Sequence, residues 1–158
     1  YVALVWGIPQ PMQGTVATNI GRSLRDRLQM DTFPLDGDMG KRAVTHYSVE
    51  ETMNYVSLVK CVLETGRTHQ IRVHMKSIGH PLFADARYGG DQILRGLRTQ
   101  KYSRFVANCH DICPRQALHA QTLGFVHPET GEEMFFSAPI PADMQALIEK
   151  WRLYSPVE

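Results

Sequence analysis

Apolar and polar residues follow two different spacings along the chain, and each spacing predicts a different kind of element. An unbroken apolar run within residues 1–6 predicts a buried strand, and residues 15–20, 43–49 and 55–63 are rich in residues that favour strands. The last two runs are joined by a short polar link, which is typical of an antiparallel hairpin. Residues 31–42 are rich in glycine and aspartate and predict a loop with tight turns.

The spacing of apolar residues changes in the middle of the chain. Between residues 69 and 78 they lie at positions i, i+4 and i+7, which is one face of a helix. Thr68 is suited to cap the N-terminus of this helix, and Gly79 is suited to follow its last turn. Two further helices are predicted over residues 101–109 and around residues 144–151.

Strand-like segments return near the end of the chain. Residues 117–126 and 133–137 predict two strands, and residues 127–131 between them predict a turn. Runs of strands with only a few helices between them differ from the regular alternation of an α/β fold. We therefore predict an α+β domain with a mixed, largely antiparallel sheet and a few flanking helices.

The composition is that of an ordinary globular domain. The chain has 158 residues, of which 43% are hydrophobic and 21% are charged, and this length is sufficient for one hydrophobic core. It contains no apolar run of about 18 residues, so we expect no membrane span. Three cysteines are too few for a disulfide framework and suit a reducing cytosol, which predicts a cytoplasmic location.

The formal net charge is only +1, but the charges are unevenly distributed. Residues 1–127 hold fifteen lysines and arginines against ten acidic residues, whereas residues 128–158 hold two against six. Short basic groups in the first part could neutralise the phosphates of a nucleic acid. A solvated surface of mixed charge explains the same groups, and the charge alone does not decide between the two.

Residues 63–74 combine an unusual density of polar and cationic side chains with a change from strand to helix. Four of these side chains cluster at the predicted helix N-terminus, where free N–H groups favour an anion: Arg67, Thr68, His69 and Gln70. Arg72 follows between two apolar residues and is expected to be partly buried. A buried guanidinium requires a carboxylate or phosphate partner, and that partner could serve either the fold or a reaction.

A metal site is the main alternative use of these side chains. His69 and His74 are five residues apart, so on a helix they point about 140° away from each other, and His80 lies beyond the predicted helix end. Cys109 and Cys113 are not followed by a second cysteine pair, which favours free thiols. We therefore expect no metal, and no Gly-rich phosphate loop of the P-loop or Rossmann type indicates an organic cofactor.

Two longer motifs resemble a known family. The segments T-G-R-T-H-Q-I-R-V-H at residues 65–74 and G-H-P-L-F-A-D-A-R-Y-G at residues 79–89 resemble the signature of the RluA-type pseudouridine synthases. The resemblance extends over nearly the whole chain, with further similar segments at residues 1–7, 41–47, 115–120 and 127–139. One departure is Ala84, where the family usually has glycine.

The resemblance implies an enzyme that isomerises uridine in structured ribosomal or transfer RNA to pseudouridine. In this reaction the glycosidic bond is broken, the base turns and a carbon–carbon bond forms. The resemblance also implies a catalytic aspartate in an R-L-D-x-x-T-S-G segment upstream of Tyr1, and residues 1–158 contain no such segment. We therefore expect one incomplete catalytic domain that starts after this segment and is inactive by itself.

The roles of individual residues follow from the same resemblance. Arg72 is expected to pair with the catalytic aspartate and keep it ionised, and Tyr1 is expected to stack on or contact the target base. Further residues are expected to hold phosphates or line the cleft: Arg67, Thr68, His69, Gln70, His74, Arg115 and His119. Asp85 and Tyr88 are expected to fix the loop after the helix.

Two other functions stay open at this point. A non-catalytic RNA-binding module of the same fold is the first, and it would gain support if the full-length protein also lacked the aspartate segment. A metal hydrolase that uses the histidine group is the second, and bound zinc in the purified protein would support it.

Overall fold

The computed structural model describes residues 1–155. Its strands are β1 Val2–Trp6, β2 Gln13–Arg22, β3 Met30–Phe33, β4 Lys41–Met53, β5 Val56–Leu63, β6 Leu118–His119, β7 Thr122–Val126 and β8 Glu133–Ser137. Its helices are α1 Gln70–Ser77, α2 Gln100–Ile112 and α3 Ala142–Leu153, with a short 3₁₀ turn at Ala86–Tyr88. In this part of the chain, no helix has the length and apolar character that crossing a membrane requires.

Six strands form one sheet in the order β3-β2-β4-β5-β1-β6, and each neighbouring pair is antiparallel. Strands β4 and β5 are joined by a tight turn at Asn54 and Tyr55. Asn54 has a φ of 60°, a left-handed conformation that asparagine tolerates better than most residues. Strands β7 and β8 form a separate antiparallel hairpin. The predicted α+β class with a largely antiparallel sheet is confirmed.

Strand β1 lies at the centre of the hydrophobic core, and all five of its residues are buried. Because side chains alternate along a strand, Leu4 and Trp6 face the cluster that contains α2 and α3, whereas Ala3 and Val5 face the cluster that contains α1. Trp6 meets Trp151 of α3 edge to face, with ring centroids 6.1 Å apart. Each fully buried large apolar side chain stabilises a fold by roughly 1.5–3 kcal/mol, so β1 anchors both layers.

Residues 31–42 differ in part from the predicted loop. Met30–Phe33 forms strand β3, which pairs with the end of β2 from Asn19 to Arg22. The turn-forming residues begin only at Pro34. Because the prediction used the composition of the whole segment, it missed the strand-forming Thr32 and Phe33. This short strand brings the β2–β3 loop, residues 23–29, to the same side of the molecule as α1.

Residues 117–126 form two strands instead of the single strand predicted. Strand β6 pairs with β1 in the main sheet, whereas β7 pairs with β8 in the hairpin. The chain therefore leaves the main sheet at Ala120 and Gln121. The apolar pattern alone could not show this change of partner, because residues 117–126 form one uninterrupted strand-like run in the sequence.

Helix α1 lies within the predicted range, but its N-cap differs. His69, not Thr68, is the N-cap, with a left-handed φ of 56° and no side-chain cap hydrogen bond. The prediction that Thr68 caps the helix is therefore wrong. Gly79 follows the helix with a φ of 88°, the conformation in which glycine is favoured after a helix end, as predicted.

Candidate active site

A cleft of about 850 Å³ opens beside the N-terminal half of α1. Its walls are formed by His69 and Arg72, by the β2–β3 loop through residues 26, 28 and 29, by residues 84–87 and by residues 114–116. Three of the residues predicted for the site, His69, Arg72 and Arg115, therefore meet at one cleft.

Arg72 forms a two-point ion pair with Asp85 at the wall of this cleft. Its Nε donates to Oδ2 and its Nη2 donates to Oδ1, each at 2.8 Å. The Asp85 side chain is fully buried and that of Arg72 is only 12% exposed, so salt screens their attraction weakly. The hydrogen bonds to Asp85 raise the pKa of Arg72 above its usual value. The Tyr88 ring centroid lies 5.0 Å from Arg72 Cζ and holds the guanidinium from its other side.

The ion pair with Asp85 uses only part of the Arg72 guanidinium. Within residues 1–155, Nη1 makes no hydrogen bond and is not buried. The resemblance had assigned a catalytic aspartate outside this chain as the partner of Arg72, whereas the partner in the structure is Asp85. A second carboxylate that entered the cleft would therefore contact Arg72 through Nη1 while Asp85 kept its place.

The loop that carries Asp85 is tightly constrained. The Asp85 carbonyl accepts hydrogen bonds from the main-chain N–H groups of Tyr88 and Gly90. A Cβ atom on Gly90 would lie 1.7 Å from the Leu82 carbonyl oxygen, so only glycine fits there. Ala84 has a φ of 64°, a conformation that favours glycine. The loop thus holds Asp85 rigidly under Arg72, in keeping with the expectation that Asp85 and Tyr88 fix this loop.

His69 turns its ring toward Tyr88 from the N-cap position of α1. Its Nδ1 lies 2.7 Å from the Tyr88 hydroxyl oxygen, which also accepts the main-chain N–H of Met30 at 3.0 Å. Partial burial, together with the nearby Arg72 and Arg87, lowers the pKa of His69 below its usual value. The ring is therefore neutral near pH 7 and can both donate and accept a hydrogen bond.

Gln70 and His74, which were expected to contact RNA, point into the protein. The Gln70 amide donates to Val44 O and Thr45 Oγ1 and accepts from the Thr65 hydroxyl and the Arg67 N–H. Both side chains are buried and bonded inside the fold, so they fasten α1 to the sheet and are not free to contact RNA.

The His74 ring is held between two strands of the main sheet. Its two nitrogens lie 2.9 Å from Thr18 Oγ1 on β2 and 2.7 Å from Thr45 Oγ1 on β4. Burial lowers the pKa of His74 to about 4, which keeps the ring neutral near pH 7. The five-residue spacing predicted that His69 and His74 lie on different faces of the helix. It did not predict that the His74 ring would be buried.

Arg67 and Thr68 lie at the entrance to α1 and do not line the cleft. The Arg67 guanidinium donates through Nε to the Arg42 carbonyl at 2.9 Å, and Thr68 is exposed. Their proposed contacts with phosphate therefore belong to the outer surface beside the cleft.

Arg115 reaches the cleft from the segment before β6 and is held by Asp143. Its Nε and Nη2 each lie 3.0 Å from a carboxylate oxygen of Asp143, and its Nη1 donates to the carbonyls of Gln116 and Leu118. These hydrogen bonds raise the pKa of Arg115 and lower the pKa of Asp143. Arg115 is thus a fixed cation across the cleft from α1.

Tyr1 and His119 do not line this cleft. Tyr1 is 40% exposed, its main chain bonds to Cys61 of β5, and it lines a separate depression with residues of β5, β7 and β8. His119 donates from Nε2 to the Ala138 carbonyl at 3.1 Å. The roles expected for these two residues stay predictions that rest on the resemblance.

Two parts of the cleft wall were not identified as site residues from the sequence. Arg87 lines the cleft and donates through Nη1 to the Leu28 carbonyl, which ties it to the β2–β3 loop. That loop also carries the exposed Arg25 and Arg27. The cluster of arginines in this loop and the position of Arg87 inside the second motif were the signals that could have identified them.

The described residues contain no group of three or more His, Cys, Asp or Glu side chains arranged to hold a metal ion. The three cysteines are free and buried. Burial raises the pKa of Cys61 to about 11 and that of Cys109 to about 12, so both thiols are protonated near pH 7. Protonated, buried thiols are poor nucleophiles. The ionisable side chains that line the cleft belong to arginine, aspartate and histidine.

Comparison with known sequences shows which proteins this chain resembles. A sequence model of the RNA pseudouridylate synthase family matches residues 1–77. An uncharacterized RNA pseudouridine synthase of Chlorobaculum parvum is 49% identical over 152 residues, which are 96% of this chain and 46% of that protein. A ribosomal large subunit pseudouridine synthase D of Zymomonas mobilis is 44% identical over 94% of this chain and 43% of that protein. The chain thus spans less than half the length of the curated relatives it matches.

Solved structures show the same fold. Human RNA pseudouridylate synthase domain containing 4 superposes with a TM-score of 0.67 and 22% identity, over 99% of this chain and 62% of that chain. Human RNA pseudouridylate synthase domain containing 1 gives a TM-score of 0.65 and 24% identity, over 99% and 66%. The chain is thus similar in sequence to RNA pseudouridine synthases, and it shares the fold of RNA pseudouridylate synthase domains.

Proposed function

We propose that this chain forms the C-terminal, larger part of the catalytic domain of an RNA pseudouridine synthase. The observation that supports it most is Arg72, a partly buried cation at the wall of the cleft whose Nη1 makes no hydrogen bond within residues 1–155. The catalytic aspartate of the family would come from a segment N-terminal to residue 1 of the full-length protein. Residues 1–158 by themselves would then be inactive.

Arg72 would act on that aspartate through charge. An opposite charge within about 4–6 Å favours the ionised form of a carboxyl group, so Nη1 would keep the catalytic carboxylate ionised and oriented. Asp85 holds the guanidinium from its other edge, which fixes the direction in which Nη1 points. A preorganised cation of this kind needs no rearrangement during the reaction.

The target nucleotide would leave its stack to reach the cleft, at a cost of a few kcal/mol. Cations around the cleft mouth could offset this cost by binding the adjacent phosphates, and Arg87, Arg115 and the β2–β3 loop supply them. The contact of Tyr1 with the target base rests on the resemblance alone, because Tyr1 does not line this cleft in residues 1–155.

Ribosomal RNA is the substrate that we propose, in the cytoplasm and without a metal or organic cofactor. Relatives from Zymomonas mobilis and Neisseria meningitidis serogroup B, 44% and 42% identical, are named as ribosomal large subunit pseudouridine synthases. Transfer RNA is the alternative substrate within the same family.

The test maps pseudouridine at single-nucleotide resolution in total RNA from a strain that lacks the gene, after incubation with the full-length protein. Wild type is expected to produce new sites in ribosomal RNA, and Arg72→Met is expected to produce none. Arg152→Met is the matched control, because Arg152 also forms a two-point ion pair, with Glu51, but lies outside the cleft. New sites in transfer RNA alone would correct the substrate. RNA binding without any new site would favour the non-catalytic RNA-binding module.

A further inference from the structure

The positions of the protons between His69 and Tyr88 follow from the available donors and acceptors. The Tyr88 hydroxyl has one proton, and its oxygen already accepts the Met30 N–H. Tyr88 is buried, and among residues 1–155 the hydroxyl has no acceptor other than His69 Nδ1. The hydroxyl therefore donates to Nδ1. A neutral imidazole carries one ring proton, so that proton lies on Nε2.

The reverse arrangement would leave a polar group unsatisfied. If Nδ1–H donated to the hydroxyl oxygen, the Tyr88 proton would be buried without a partner, which is costly. The nearby Arg72 and Arg87 also disfavour a doubly protonated, cationic His69 ring. The hydrogen bonds select the Nε2–H tautomer, and the two arginines keep the ring neutral.

The Nε2 atom of His69 is on the cleft side of this pair. His69 lines the cleft, and its Nε2 has no partner among the described residues and is not buried. The His69 ring packs edge to face on Tyr88 with an interplanar angle of 86°, which restricts its rotation. The left-handed backbone conformation at His69 further restricts the position of its imidazole ring.

We propose that Tyr88 is a positioning residue that holds His69 as a neutral Nε2–H donor to an oxygen acceptor of the RNA nucleotide in the cleft. The acceptor is a phosphate oxygen or a uracil carbonyl. A neutral donor binds either acceptor without adding charge beside Arg72. This inference rests on the proposed function for its ligand, but the tautomer itself can be measured without RNA.

The first test is a long-range ¹H–¹⁵N correlation spectrum of the protein labelled with ¹⁵N-histidine, at pH 7, with His69→Gln used to assign the signals. Wild type is expected to show a protonated Nε2 and an unprotonated Nδ1 at His69. Tyr88→Phe is expected to shift the ring to a mixture that includes the Nδ1–H tautomer. A protonated Nδ1 in wild type, or no change in Tyr88→Phe, would overturn the proposal.

Tyr102→Phe is the matched control for this spectrum. Tyr102 is also buried, and its hydroxyl donates to the Arg95 carbonyl at 2.7 Å, away from the cleft. Its loss is expected to lower stability in a similar way while leaving the His69 signals unchanged. A similar change of the His69 signals in both variants would show a general loss of structure and would contradict a specific role for Tyr88.

The second test measures kcat/KM of the full-length protein on ribosomal RNA from the strain that lacks the gene. Tyr88→Phe is expected to lower kcat/KM about tenfold, as the loss of one hydrogen bond does. His69→Gln, whose amide nitrogen takes the place of Nε2, is expected to retain about ten times more activity than His69→Asn. Equal activities of these two His69 variants would overturn the proposed donor role. If wild type produced no pseudouridine, the proposed function would fail while the tautomer still stood on the spectrum.

Uridine and uridine 5′-monophosphate distinguish the two acceptors. A shift of the His69 Nε2–H signal with the monophosphate alone identifies a phosphate oxygen, and a shift with both identifies a uracil carbonyl. The donor role would be overturned if the His69 Nε2–H signal stayed unchanged with uridine, with the monophosphate and with the ribosomal RNA.

Discussion

At the scale of single residues, the wall of the cleft depends on a buried charge pair and a strained loop. Arg72 donates to both carboxylate oxygens of the fully buried Asp85 and keeps Nη1 unused within residues 1–155. The loop beneath them places Ala84 in a left-handed conformation and leaves space only for glycine at position 90. The free energy of unfolding should therefore respond sharply to changes at positions 84 and 85.

Asp85→Asn is expected to lower the free energy of unfolding by about 3–5 kcal/mol, because it leaves the Arg72 charge buried without its counter-ion. Asp143→Asn is the matched control. Asp143 pairs with Arg115 through two hydrogen bonds of similar length, but its side chain is 35% exposed, so a loss of about 1 kcal/mol or less is expected. Urea unfolding measures both values. Equal losses would contradict the view that burial makes the Arg72–Asp85 pair critical.

Ala84→Gly is expected to raise the free energy of unfolding by about 0.5–1 kcal/mol. Glycine adopts the φ of 64° without strain, and this gain exceeds the entropy that glycine adds to the unfolded chain. Ala43→Gly serves as the control, because Ala43 is buried in β4, and there the same change is expected to destabilise the protein. An Ala84→Gly variant that is no more stable than wild type in urea would contradict the assigned strain.

The sequence predicted part of this residue-scale picture. The position of Arg72 between apolar neighbours predicted partial burial and an anionic partner, and both are found. Asp85 could not be identified as that partner from spacing, because it lies thirteen residues away, beyond the helix end and a loop. The strain at Ala84 was visible only as a departure from the family pattern.

At the scale of elements, α1 is fastened to the sheet by buried polar side chains as well as by apolar packing. Ile71 and Met75 pack against β1, while Gln70 and His74 bond to β2 and β4. The helical spacing predicted the apolar face but not the polar anchors, since a polar residue in a motif is equally compatible with a surface contact. These anchors set the position from which Arg72 and His69 reach the cleft.

The His74 anchor predicts a loss of stability in acid. The pKa of His74 is about 4 in the folded protein and about 6.5 in the unfolded chain, so the unfolded state binds more protons between these values. Stability therefore falls as the pH drops from about 6.5 toward 4, and this group alone should cost about 2 kcal/mol between pH 7 and pH 5. His69, His80 and His110, whose pKa values are also lowered, add in the same direction.

Urea unfolding at pH 7 and pH 5 measures this dependence, and His74→Gln removes the titrating group. The variant is expected to be less stable than wild type at pH 7 but to lose about 2 kcal/mol less on acidification. A pH dependence identical to that of wild type would contradict the assignment to His74.

At the scale of the whole molecule, the main sheet is well covered around β1, whereas the β7–β8 hairpin is not. Its exposed apolar side chains include Leu123, Phe125, Phe135 and Phe136. Leu123, Phe125 and Phe136 share one face of the hairpin, and an exposed apolar surface of this kind marks an interaction site or promotes association. The sequence predicted the hairpin but not its exposure, because the apolar pattern of these strands resembles that of core strands.

The 158-residue chain is therefore expected to self-associate through this hairpin as its concentration rises. Leu123→Ser combined with Phe136→Ser should reduce the association, with little change in Tm, because these side chains are 60% and 52% exposed on the same face of the hairpin. Sedimentation velocity over a range of concentrations measures the effect. A monomeric wild-type chain at high concentration would contradict this prediction.

Release of tritium from C5 of uracil tests the proposed role of Arg72 in a uridine-isomerising site. Pseudouridine formation replaces the hydrogen at C5 of uracil, so RNA made with [5-³H]uridine releases tritium to water as it reacts. The full-length wild-type protein is expected to release tritium from ribosomal RNA, and Arg72→Met is expected to do so at least a hundredfold more slowly, a loss of about 2.7 kcal/mol or more of transition-state stabilisation. No release by wild type, or equal release by Arg72→Met, would contradict the account.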